Sequence, residues 1–206
     1  MRISTFGRLL LAGACAMTTV TARGQRTQNL QPAVDMAVVY HPLLTNQVGR
    51  GDFWMQGGSI QLHAQFWRGL GVVADVSGVH KSNINRSVAG LDLVTVAFGP
   101  RYSWTTPWTT PRIPHLTRIP RLRSALFGQI LVGEAHGLNS VFPGTYGANE
   151  SASSLALSIG GGVNVPLQHH LTVRAFEADW LRTQLPNATS SVQNNLRLGA
   201  GLAYRF

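Results

Sequence analysis

The sequence predicts an all-β fold: an eight-stranded antiparallel up-and-down β-barrel that crosses a membrane. Three observations carry this expectation. Segments of about ten residues recur with apolar and polar positions alternating, the signature of a strand with lipid on one face and the barrel interior on the other. Charged residues are only 12% of the 206-residue chain, and glycine is frequent at 22 residues, so much of the surface needs no charge to face water. Tyr40, Trp54, Trp67, Tyr102, Trp104, Trp180 and Tyr204 fall near segment ends, where a ring sits well between membrane and water.

Before the first such segment comes a targeting sequence. Arg2 and Arg8 precede an apolar run from Leu9 to Val20, and the small residues Thr21, Ala22 and Gly24 follow. A basic start, a short apolar centre and a small-residue end make a secretory signal spanning residues 1–24, cleaved after Ala22 or Gly24. The run is too short for a membrane-spanning helix, which needs about 20 apolar residues. Cys15, the one cysteine, lies inside it; the mature chain is expected to hold neither thiol nor disulfide. Residues 25–33 form a polar, flexible leader, and the barrel takes 34–206.

Val34–Tyr40 is a short first strand with Asp35 facing in. Phe53–Phe66 sets Trp54, Ile60, Leu62, Ala64 and Phe66 against Gly57, Ser59, Gln61, His63 and Gln65, and Gly69–His80 turns Asp75 inward. Leu91–Trp104 sets Val94, Val96, Phe98, Tyr102 and Trp104 against a face that includes Arg101. Arg123–His136 is apolar at both parities. Ser154–Val165 alternates cleanly, whereas Leu171–Leu181 changes parity between Arg174 and Phe176, as an inserted bulge residue would make it do. In the last strand Leu196, Leu198, Ala200, Leu202, Tyr204 and Phe206 oppose Arg197, Gly199, Gly201, Ala203 and Arg205. With the first strand leaving the periplasm, long outside loops fall at Pro42–Asp52, Lys81–Gly90, Gly137–Ser153 and Arg182–Asn194. Trp67–Gly69 and Pro166–His170 are short turns. The third connection, Thr105–Leu122, breaks the short-turn rule with an arginine- and proline-rich insertion.

The terminal strand, from Asn195 to Phe206, resembles that of the small OmpA/OmpX-type outer-membrane barrels, and the resemblance extends over nearly all of the mature length. It implies residence in the bacterial outer membrane after export, contact with outer-membrane lipid and lipopolysaccharide, and recognition of Tyr204 and Phe206 by the barrel-assembly machinery. No peptidoglycan-binding domain follows Phe206, so the anchoring role of longer members is not implied.

Chemistry is sparse. Four carboxylates, Asp35, Asp75, Glu177 and Asp179, are expected in the lumen with Arg101, Arg197 and Arg205 as partners. An eight-stranded barrel is just wide enough for side chains to fill, so these charges predict a polar plug rather than a general pore, and Asp179 and Arg197 are expected to pair. His136, Ser140 and Glu134 near one outside loop, and His80 with Ser82 near another, are hydrolase-type residues without a nucleophile-and-base arrangement in sequence. The adjacent His169 and His170 point to opposite sides of an extended chain and make a poor chelate, and neither a metal nor another cofactor is expected. The formal charge of +9 comes without any nucleic-acid-binding motif, so no nucleic acid is expected as a partner. The function expected is that of a non-enzymatic structural or surface-exposed barrel. The alternatives are a narrow channel or small-ligand carrier and a lipid-modifying enzyme; no outside ligand is named by the loops.

Overall fold

A computed structural model describes residues 33–47, 51–82, 90–109, 123–144, 147–186 and 191–206. The predicted signal peptide and nearly all of the leader lie outside the described residues. The strands are β1 (Ala33–Tyr40), β2 (Leu43–Gln47), β3 (Gly51–Trp67), β4 (Leu70–Lys81), β5 (Leu91–Thr109), β6 (Arg123–Leu138), β7 (Phe142–Gly144), β8 (Gly147–Asn149), β9 (Ala152–Pro166), β10 (Leu171–Thr183) and β11 (Gln193–Arg205). Among the described residues no helix is long and apolar enough to cross a membrane.

All pairings in the main sheet are antiparallel, and β1 pairs with both β3 and β11, which closes the wall. β2 pairs with the same two neighbours, so β1 and β2 are two stretches of one wall position and the barrel has eight. The interruption is local. Pro42 has no N–H for the ladder, but its carbonyl accepts from the Leu198 N–H at 3.1 Å, and the His41 N–H donates to the Gly57 carbonyl at 2.8 Å. The outside loop expected at Pro42–Asp52 is therefore mostly wall. Similarly β6 runs on to Leu138, and β7 and β8 pair antiparallel inside the connection expected as the outside loop Gly137–Ser153.

Alternation decides the two faces. Along β4 and β11 buried and exposed residues follow one another almost without a break. Ile60, Val76, Phe98, Ile130, Leu155, Leu196 and Leu202 stand exposed on the outer face, an arrangement that water would penalise and lipid would not. The parity change in β10 is a bulge: Arg174 pairs with Asn164 and Phe176 with Val163, which leaves Ala175 as the extra residue. It allows Arg174 before the bulge and Glu177 and Asp179 after it all to face inward.

The tight β3–β4 connection rests on Arg68 and Gly69, both at positive φ. A side chain at Gly69 would start 2.1 Å from the Ser103 carbonyl oxygen, so only glycine fits there. β5 extends to Thr109, and residues 110–122 of the proline-rich insertion lie outside the described residues.

Candidate functional site

The interior is built in tiers. Toward the loop end Leu43, Met55, Val79, Leu91, Leu93 and Leu181 pack together, and Phe142 from the β7 hairpin and Leu185 from the β10–β11 connection join them. Beneath this apolar tier lie three buried guanidiniums, Arg101, Arg174 and Arg197, with three buried carboxylates, Asp75, Glu177 and Asp179.

Asp179 and Arg197 are direct cross-strand partners. The Arg197 Nε and NH2 donate to Asp179 Oδ2 at 3.1 and 2.8 Å, and NH1 donates to Asp75 Oδ1 at 3.1 Å. Arg197 thus ties β10 and β11 to β4 across the lumen. Room for this cluster comes from Gly160 on β9, where a Cβ would stand 2.0 Å from Asp179 Oδ1.

Arg174 donates to Glu177 Oε2 at 2.9 Å and to Asn164 Oδ1 at 3.2 Å, and also bonds Gln61 Oε1. Among the described residues Arg101 reaches no carboxylate directly; its donors end on the carbonyl oxygens of Gln61 and Gln129. Those amides pass the interaction on. Gln61 Nε2 donates to Glu177 Oε1 at 2.9 Å, and Gln129 Nε2 donates to Glu177 Oε1 at 3.0 Å and Asp179 Oδ1 at 3.1 Å. An amide serves here because it accepts at one end and donates at the other. Both Arg101 and Arg174 lie over the ring of Phe127, 4.5 and 4.7 Å from its centroid, within cation–π range.

His41, fully buried, lies 3.9 Å from Glu177 Oε2, beyond hydrogen-bond reach. Nearer the end where β1 starts and β11 finishes, His63 Nδ1 and Asp35 Oδ2 are 2.9 Å apart.

The inward placement expected for Asp35, Asp75, Glu177, Asp179, Arg101 and Arg197 is what the structure has. Arg205 differs: it is the last strand residue, exposed at the mouth, because the lumen ends one rung earlier at Ala203. Arg174 is the central residue that sequence reasoning did not place. Its signal was the parity break itself, since a bulge lets an even-numbered residue before it share a face with odd-numbered residues after it.

On the outer face at the loop end, His80 and Asn139 both bond the carboxylate of Asp92. His136 Nδ1 lies 2.5 Å from Ser153 Oγ on β9, a partner that its distance in sequence hid. The expected neighbour Ser140 is instead buried, and among the described residues no acid reaches His136. No group of three or more metal-ligating residues occurs among the described residues. At the opposite end Tyr204 stacks on His170 at 5.7 Å and meets Phe206 edge-on at 5.4 Å; the Phe206 N–H donates to the Val34 carbonyl at 3.0 Å.

No protein-family model matches the chain, and no curated protein matches it. Solved structures do. Ail, the attachment invasion locus protein of Yersinia pestis, in complex with the heparin analogue sucrose octasulfate, has a TM-score of 0.54 and 18% identity, over 85% of this chain and 99% of that one. Neisserial surface protein A has a TM-score of 0.57 and 13% identity, over 84% and 99% of the two chains. At such identities the likeness is one of architecture: this chain folds as a closed eight-stranded antiparallel barrel similar to small outer-membrane barrel proteins.

Proposed function

We propose that this chain is a non-enzymatic barrel of the bacterial outer membrane, structural or surface-exposed in role, whose lumen is closed by its own side chains. The observation that carries this reading is the buried network joining Arg101, Arg174 and Arg197 to Asp75, Glu177 and Asp179 through Gln61 and Gln129. Three charges of each sign balance, which suits a region withdrawn from water, and the apolar tier around Met55 and Phe142 lies above it. The exposed apolar outer face supports membrane residence and contact with lipid and lipopolysaccharide, and export by the predicted signal peptide agrees with it. Recognition of Tyr204 and Phe206 by the assembly machinery belongs to the same reading.

The sulfated ligand named for Ail does not carry over. A polyanion calls for excess positive charge at the loop end, and among the described residues there Lys81 and Arg182 are outnumbered by Asp52, Asp92, Glu134 and Glu150. The test of the main reading is membrane fractionation with a heat-modifiability gel, followed by planar-bilayer recording. A heat-shifted band in the outer-membrane fraction and no stable conductance steps are expected. Regular single-channel steps would instead favour the narrow channel or carrier.

One observation favours a second reading, a lipid-modifying enzyme: the Ser153–His136 contact pairs a nucleophile with a base at the lipid-facing rim. A fluorophosphonate probe should leave the folded barrel unlabelled, and labelling at Ser153 that is lost in His136→Asn would replace the non-enzymatic reading.

A further inference from the structure

The first wall position passes from β1 to β2 at His41 and Pro42, and the ladders on both sides hold that point. Tyr40 pairs with Ala200 and Leu43 with Arg197, so the register runs through the break unchanged and sets His41 opposite Gly199. Gly199 is in turn the partner of Glu177 on β10. Glu177, Gly199 and His41 therefore form one inward row, with no side chain at its centre. A Cβ at Gly199 would stand 2.5 Å from His41 Cδ2 and 2.6 Å from Nε2, so the imidazole lies in the space that the glycine leaves. Across this gap Nε2 and Glu177 Oε2 are 3.9 Å apart, and both side chains are buried.

Among the described residues neither nitrogen of the His41 ring has a hydrogen-bond partner, although a buried polar group ordinarily finds one. On the facing carboxylate, Oε1 accepts from Gln61 and Gln129. Oε2 accepts one hydrogen bond among the described residues, from Arg174, which leaves it room for a second donor. The other charges around the ring are already opposed. Arg197, one row nearer the loops on β11, donates to Asp179 on β10 and to Asp75 on β4, and Asp75 Oδ2 is still without a donor. Arg174, one row the other way, faces Glu177 itself. From β3 come Met55, Ser59 and Gln61, none of them charged. A proton on His41 thus meets carboxylates without meeting an uncompensated cation. Protonated imidazole donates from both nitrogens, and reaching the ~2.8 Å of a charge-assisted bond takes a ring movement of about 1 Å.

We infer that His41 is a proton-binding site which, when occupied, donates from Nε2 to Glu177 Oε2 and fastens the barrel where its first and last strands meet. The bond ties the end of β1 to β10 across β11, beside Pro42, which has no N–H for the ladder. Histidine changes charge between about pH 5 and 8, so the seam tightens as the medium acidifies. The sign follows from linkage: a proton held more firmly by the folded barrel than by the unfolded chain makes stability rise as pH falls.

The test uses the full mature chain folded into bilayers, with urea midpoints read on the heat-modifiability gel from pH 8 to pH 5.5, above the ordinary carboxylate range. The ratio of the folding constant of the unsubstituted protein to that of His41→Gln is expected to grow by about ten-fold over this span, the equivalent of one hydrogen bond to a charged group. A ratio independent of pH, or one that shrinks as pH falls, overturns the inference and leaves His41 a neutral packing residue. The growth should persist in a His63→Gln background. Its disappearance there would assign the proton to the His63–Asp35 pair instead and also overturn the inference. Should His41→Gln not fold, nitrogen-15 spectra of the otherwise unsubstituted barrel decide. At pH 5.5 two buried, slowly exchanging imidazoles protonated at both nitrogens are expected, His41 and His63. One alone, or none, counts against the site.

Discussion

At the scale of single residues, the lumen is held by partial substitutes for water. Arg101 is the clearest case, because its positive charge is passed to Glu177 and Asp179 only through the amides of Gln61 and Gln129. Gln129→Leu keeps the volume but removes an acceptor and two donated bonds, so it should destabilise the barrel by about 2–4 kcal/mol, since hydrogen bonds to charged groups contribute about 1.5–3 kcal/mol each. A lowered urea midpoint in the gel-shift assay checks this; an unchanged midpoint would mean that Arg101 is satisfied elsewhere. The Asp179–Arg197 pair makes a different prediction. Removing one member of a buried pair costs about 3–5 kcal/mol, while replacing both with apolar residues is often near neutral. Arg197→Ala strands Asp75 as well as Asp179, so it should lower the urea midpoint more than Asp179→Ala does. The double variant should fall well short of the sum, and strict additivity would deny the coupling.

At the scale of elements, the bulge in β10 decides which side chains enter the lumen. With Ala175 extra, Arg174 pairs with Gly201 and Glu177 with Gly199. Deleting Ala175 restores plain alternation without turning Arg174 or Glu177 outward, so the shortened chain should still show the heat-shifted band. Deleting Ala178 has the opposite effect. It shifts Asp179 and Leu181 by one position and turns them toward lipid, because a one-residue slip flips every side chain beyond it. That variant should fail to fold. If both deletions behaved alike, parity would not be what fixes β10.

At the scale of the whole molecule, closure makes the wall and its filling one cooperative object: Arg197 on β11 reaches Asp75 on β4 across the interior. The outer face should report the same two-fold period along every strand. Cysteines placed singly from Leu155 to Val165 are expected to react alternately with a lipid-soluble probe, with Leu155, Leu157 and Ile159 reactive and Ala156 and Ser158 protected. A period near 3.6 would be incompatible with a barrel wall.

The strand count, the inward parity of Asp75, Arg101, Glu177, Asp179 and Arg197, and the pairing of Asp179 with Arg197 were legible in the sequence. Alternation is a local property of an extended chain, and a short connection fixes which residues of two adjacent strands meet. Other features needed the closed barrel. The entry of Arg174 follows from a bulge whose exact extra residue only the neighbouring ladders identify. The continuation of the first strand past Pro42 depends on hydrogen bonds supplied by β3 and β11. Gln129 became a bridge, and His136 met Ser153, only because distant segments were brought side by side. One-dimensional pattern decides which way a side chain points, and three-dimensional closure decides what it finds there.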